Sequence, residues 1–327
     1  MKKINFYLIL FVGTVLVLSC QKPIESNLAS ETSVMSDEMK VVDGILHLPN
    51  QKTFDDLTQD LAKKQDKLSD FESKFSGFVS IRTAFAALKD IDAESIAKNG
   101  ITERYKGFVS VIGNDESKEI TRTITDPILA TLVNKDGLLR IADQLYKFEY
   151  NKFYILKLKN GVSSKVSFDE KSEGVIVGKV THSTSPNAKV AASTTCIQEY
   201  WVGNSKRRMA GDIDYSEYTA NGGSQYSNVT IYTKHQKRVF GIWWSTNIPM
   251  LSFSGNLIAH NVGSWSSGNW GIQHPINFER ACNDCCSEEI SFPSQCPSGC
   301  APTVSNVNTD HTAYCSDGYY RTCSISI

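Results

Sequence analysis

The residues best suited to chemistry in this chain of 327 are its nine cysteines. Eight of them, Cys196, Cys282, Cys285, Cys286, Cys296, Cys300, Cys315 and Cys323, fall in the last 132 residues, 196–327. An even set of that kind reads as a framework of four disulfides. Seven of the eight lie from Cys282 onward, in a stretch with few bulky apolar residues that cannot bury much core and needs cross-links. Seven is odd, so one of them must bond outside the tail, and Cys196 is the expected partner. Cys285 and Cys286 are neighbours, and a ring between neighbours is strained, so each is expected to bond elsewhere. The rival chemistry is zinc. Cys282-x-x-Cys285, Cys296-x-x-x-Cys300, His311 and Cys315 have spacings that tetrahedral thiolate sites use. In an oxidising compartment disulfides compete with such a site, and the framework reading leads, with no metal and no cofactor expected.

Other chemistry is sparse. There is no Gly-x-Ser-x-Gly elbow, no His-Glu-x-x-His and no Walker loop. The six histidines are scattered, and none stands four residues from another. His311 and Cys315 are near in sequence, but an oxidised cysteine is no nucleophile. Asp212-Ile213-Asp214-Tyr215-Ser216-Glu217 starts like a calcium loop, yet Glu217 stands where the loop needs glycine. No catalytic residue is expected. The aromatic residues are more suggestive. Trp265 and Trp270 flank a Gly/Ser stretch that reads as a loop, where a large ring is harder to explain as core. They are the candidate binding residues, since aromatic faces pack on sugar rings or partner side chains. Of Trp243 and Trp244, a strand of period two should turn one inward.

These residues must be placed by the rest of the chain. Lys2 and Lys3 precede an apolar run from Ile4 to Leu18, too short for a span that needs roughly 20 apolar residues. The run ends in Val17-Leu18-Ser19-Cys20, which resembles the bacterial lipobox. That resemblance implies a signal peptide over residues 1–19, cleavage before Cys20, and acylation of Cys20 with fatty chains such as palmitate. Several chains hold a protein to a membrane where one does not. Gln21 replaces the Asp that marks inner-membrane retention in enterobacterial lipoproteins, so the resemblance favours the outer membrane, on either face.

Residues 20–43 are polar and read as a lipid-anchored tether. The net charge of −1 and the absence of a block of like charge exclude a nucleic-acid partner. Near residue 195 the composition changes: residues 196–327 hold only eight of the 34 Lys and Arg but all five Trp. Two domains are therefore expected, over 44–182 and 196–327, with the Ser- and Thr-rich stretch 183–195 as a linker.

In the first domain Thr53 can cap a helix with Asp55 and Asp56 in its first turn, and Leu57, Leu61, Leu68, Phe71 and Phe75 follow at near-helical spacing. A second helical stretch covers Ser80 to Lys89. Ile128 to Val133, Leu138 to Phe148 and Phe153 to Leu158 read as strands of an antiparallel meander. Phe71-Glu72-Ser73-Lys74-Phe75, Gly77-Phe78-Val79-Ser80-Ile81, Asp126 to Asn134 and Ile141 to Lys147 resemble the N-terminal region of uncharacterised cell-envelope lipoproteins of Bacteroidetes, over roughly residues 43–160. The resemblance implies an envelope address and brings no activity. In the second domain Ser227 to Lys234, Arg238 to Ser245 and Leu251 to Ile258 read as strands. The expected fold class is α+β: a helical segment with a β meander, then a cysteine-rich all-β sandwich or barrel. The expected function is a non-catalytic binding or adhesion module with a glycan or protein ligand. A hydrolase on envelope or extracellular polymer, and a structural envelope component, are the alternatives.

Overall fold

The computed structural model describes residues 39–158, 168, 174–183, 195–221, 223–260, 263–264, 274–295 and 303–326. Cys20, Trp265, Trp270, Cys296, Cys300 and most of the expected linker lie outside these residues. Strands β1 (Lys40–Val42) and β2 (Ile45–Leu48) lead into helices α1 (Gln51–Lys63), α2 (Leu68–Glu72), α3 (Ile81–Ala86) and α4 (Asp90–Asn99). Strands β3 (Val109–Ile112) and β4 (Glu119–Arg122), helix α5 (Pro127–Leu132) and strands β5 (Leu138–Ile141), β6 (Gln144–Phe148), β7 (Lys152–Lys157) and β8 (Val175–Ser183) follow. The rest is strand: β9 (Thr195–Val202), β10 (Ser205–Ala220), β11 (Gly223–Val239), β12 (Ile242–Ser245), β13 (Ile248–His260), β14 (Gly263–Ser264), β15 (His274–Cys285), β16 (Ser287–Gln295), β17 (Thr303–Tyr314) and β18 (Tyr320–Ser326). The chain is mostly β, with few helices.

The local starts of the helices correct two expectations. Asn50, not Thr53, caps α1: its side chain accepts a hydrogen bond from the Thr53 amide at 2.9 Å. Asp55 and Asp56 therefore lie one turn further in, where they bond Gln51 and Lys52. Phe54, Leu57 and Leu61 still form the buried stripe. The run Ile128 to Val133, expected as strand, begins as α5. The buried Asp126 carboxylate accepts from the Ile128 and Leu129 amides at 3.0 and 3.3 Å, and Pro127 occupies the first helical position, where its missing N–H costs nothing.

The large sheet runs β1-β2-β5-β6-β7-β8-β10-β11-β12-β4-β3, with β9 added on β10, β16 on β11 and β14 on β16. A four-stranded sheet has the order β15-β13-β17-β18. The hairpin of β10 and β11 joins everything. Its arms are 16 and 17 residues long, enough for each to serve two sets of partners. Ser205–Asp212 pairs with β9, while Tyr215–Thr219 pairs with β8. Ser227–Lys234 pairs with β16, while Gln236–Val239 pairs with β12. Strands from either side of 183–195 thus share one sheet, and Glu38–Ile327 is a single compact unit. The expected division at that stretch does not separate two units among the described residues.

Successive side chains of the hairpin point to opposite faces. Ile213, Tyr215, Val229 and Ile231 face the small sheet and pack with Phe253, Leu257, Val307 and Ile325. Each such side chain, fully buried, contributes about 1.5–3 kcal/mol. The approach of the two sheets is close: a Cβ on Gly211 would lie 2.4 Å from Cγ of His311, so only glycine fits. This sandwich is closed covalently at both edges. The Cys196–Cys323 disulfide, with Cα atoms 5.8 Å apart, joins β9 to β18, and Cys286 alone separates β15 from β16.

Candidate binding cleft

The other face of the hairpin is polar and nonetheless buried or half-buried. Arg208, Asp212, Asp214, Asn228, Thr230, Tyr232, Lys234 and Gln236 share it through the β10–β11 register. Burial of such groups is tolerated only when each has a partner. Glu119, from β4, accepts from Lys234 at 2.6 Å and from Arg208 at 2.7 Å. Burial alone would raise its carboxyl pKa, but the two cations outweigh burial and hold it below the usual carboxylate range. Asp212 accepts from Tyr232 at 2.8 Å and from Thr195 at 2.9 Å, and burial still raises its pKa. Asp214 accepts from Thr125 at 2.8 Å and stands 3.6 Å from His182 Nδ1, a distance that acts through charge rather than a hydrogen bond. The supposed start of a calcium loop is therefore the middle of a strand whose carboxylates are already engaged. Among the described residues no group of three or more His, Cys, Asp or Glu is placed to hold a metal ion.

Beside this layer lies a cleft of about 500 Å³. Its walls come from five separate stretches of chain, among them Arg122 and Pro127 at the end of β4 and the start of α5. Gln65, just after α1, donates to the Ser291 carbonyl at 2.7 Å and accepts from the Ser291 amide at 2.8 Å, so it occupies the edge of β16 as a strand would. From α3 and α4 come Arg82, Phe85, Ala86, Lys89 and Asp90; from β12 and the turn after it, Trp244, Ser245, Thr246 and Asn247. Cys286, Ser287, Glu288 and Glu289 complete it at the β15–β16 corner. A recess of about 80 Å³, lined by Phe85, Arg122, Glu119 and Tyr232, adjoins the cleft.

Most charges in the cleft are paired. Arg82 is bonded to Glu72. Asp90 accepts from Lys237 at 2.5 Å and from the Trp244 indole at 3.2 Å. Arg122 grips Glu289 through two hydrogen bonds of 2.8 and 2.6 Å. Burial would lower the pKa of Arg122, but Glu289 outweighs it and pushes the value up. Glu288 is different. It accepts no hydrogen bond from the described residues, and burial raises its pKa to about 7, opposed in part by Arg280. Burial likewise raises the Cys286 thiol, which lowers its thiolate fraction and slows its reactions.

The cysteine chemistry follows the expectation in part: Cys196 bonds a cysteine of the tail, but the remaining pairing differs. Cys282 is bonded to Cys285 and Cys196 to Cys323, while Cys286 and Cys315 are free thiols. The bonded Cys282–Cys285 pair cannot serve as the thiolates of a zinc site, and a complete set of four disulfides is not formed. Cys315 and His311 do not form a pair. His311 sits between Thr233 at 2.5 Å and Thr309 at 2.8 Å, whereas Cys315 packs with Tyr200, Met209 and Leu251. Trp243 and Trp244 are both buried, because β12 is covered on both faces: Arg208 lies over the Trp243 ring at 4.4 Å and Phe85 packs on Trp244 at 5.9 Å. Sequence reasoning missed Gln65, Arg122 and Glu289; each looked like an ordinary solvated residue.

No family model and no curated protein matches the chain. Among solved structures it is similar to a DUF4848 family protein from Bacteroides thetaiotaomicron, at 9% identity and a TM-score of 0.28, covering 89% of this chain and 100% of that one. A likeness at that level carries no argument about function. No helix among the described residues is long and apolar enough to cross a membrane.

Proposed function

We propose that this is a lipid-anchored cell-envelope protein, held at the outer membrane through Cys20, that binds a small polar ligand in the cleft without catalysis. The observation that carries the binding reading is the cleft itself. It has the size of a small-molecule site, roughly 300–1,000 Å³, and its walls are held in place by ion pairs and by the Gln65–Ser291 contact. The lipobox-like Val17-Leu18-Ser19-Cys20 supports the anchor. Trp265 and Trp270 stay proposed contacts for a glycan or protein partner. The competing reading, a hydrolase, is favoured by Glu288, whose pKa of about 7 suits a general acid. It needs a second carboxylate, and both Asp90 and Glu289 are tied up by cations.

The test has two arms on the full chain expressed with its leader. Palmitate labelling and partition into detergent should follow the wild type and be lost in Cys20→Ala. Thermal shift against a panel of polar small molecules should raise the melting temperature of the wild type and not of Ala86→Trp, in which an exposed cleft residue is enlarged to fill the opening. A panel that moves both proteins equally, or neither, contradicts the binding site.

A further inference from the structure

We infer that the cleft takes a neutral saccharide of one or two rings; the inference rests on the binding reading above. Charge is the first argument. Three cations (Arg82, Lys89, Arg122) and three anions (Asp90, Glu288, Glu289) line the cleft. Arg82, Asp90, Arg122 and Glu289 are already in ion pairs. Outside these pairs stand only Lys89, which is exposed, and Glu288, so a charged ligand that engages either guanidinium would have to open a pair and leave a half-buried charge alone, which is costly. A phosphate or carboxylate ligand calls for an uncommitted arginine fork, and both guanidiniums here are committed.

What remains on offer suits hydroxyl groups. Ser245, Thr246, Asn247 and Ser287 provide side chains that both donate and accept, as each hydroxyl of a sugar does. The oxygens and N–H groups of a paired Arg122–Glu289 have further lone pairs and hydrogens to share without breaking the pair. The aromatic wall is the third element. Phe85 stands between the cleft and the inner recess, tilted on Trp244 with centroids 5.9 Å apart. Such a ring can pack against the C–H face of a pyranose. An extended peptide would dock most readily by adding a strand to an open sheet edge. At Ser291 of β16 that edge is taken by Gln65.

The experiment is calorimetric titration of the full chain in a sugar-free detergent. The probes are glucose, galactose, N-acetylglucosamine, cellobiose and maltose, with glucuronate, glucosamine and dialanine as charged counterparts. At least one neutral saccharide should bind, and the charged probes should bind at least tenfold more weakly. Phe85→Leu should weaken that saccharide up to about tenfold, and Ala86→Trp should abolish it, both with unchanged far-ultraviolet circular dichroism. Binding of charged probes or dialanine alone, lost in Ala86→Trp, overturns the saccharide and leaves the binding cleft standing. Saccharide binding that ignores Ala86→Trp puts the sugar elsewhere and overturns the inference. No binding by any probe overturns both.

Discussion

Arg122 in β4 and Glu289 in β16 stand 167 residues apart and meet in a two-pronged ion pair with N···O distances of 2.8 and 2.6 Å. The pair ties the helical, N-terminal part of the chain to the sandwich and forms one flank of the cleft. Removing one member leaves the other partly buried and alone. Arg122→Met is expected to lower stability by about 3 kcal/mol, and Arg122→Met combined with Glu289→Met to recover most of the loss. Urea denaturation of the two variants beside the wild type checks this. Equal stability of the single variant and the wild type would show that the pair does not hold the two parts together.

The Cys196–Cys323 disulfide closes the sandwich across 127 residues of chain. A cross-link that long should restrict the unfolded chain, and its loss in Cys196→Ser should cost about 3 kcal/mol. The single variant also exposes the Cys323 thiol. Denaturation of the variant against the oxidised wild type gives the difference, which should vanish when both are measured reduced.

Glu288 sets a pH dependence whose sign can be worked out. Its carboxyl has a pKa of about 7 in the folded chain against an ordinary 4.5. Between those values the folded state holds more protons than the unfolded state, so this group's contribution to stability falls as pH rises from about 4.5 to about 7. His235 and His311 act in the opposite sense. Burial pulls both down to about 4 from 6.5, so their contribution is lost as pH falls through that window. The two trends oppose each other in the wild type. Glu288→Gln removes only the first, so melting temperatures of that variant should gain on the wild type from pH 5 to pH 8. A constant difference across that range would mean Glu288 titrates normally.

The elements whose signal is local were readable from the residues. The strands around Val229, Ile231, Phe253 and Leu257 alternate with polar neighbours, and the Phe54, Leu57, Leu61 stripe has helical spacing. Helix α5 was obscured because Ile128 to Val133 is apolar and partly β-branched; the Asp126-Pro127 start was the better guide. The change of composition near residue 195 is real. It marks where cross-linking takes over from charge, not where one core ends, because β10 and β11 are long enough to carry a single sheet through the change. The cleft was not legible at all. Gln65, Arg122, Trp244 and Glu289 come from distant segments, and nothing in the local pattern of any of them anticipates the others.

Cys286 offers the most direct test of ligand occupancy, because its free thiol lines the cleft while the other free thiol among the described residues, Cys315, is buried elsewhere. The measurement is the rate of maleimide labelling of Cys286, read by peptide mass spectrometry, in the native full chain with and without saturating saccharide. The account predicts that the neutral saccharide that binds by calorimetry slows labelling of Cys286 and leaves Cys315 unlabelled until the chain is denatured. An unchanged rate at Cys286 while the saccharide is bound would place the ligand outside the cleft and contradict the account.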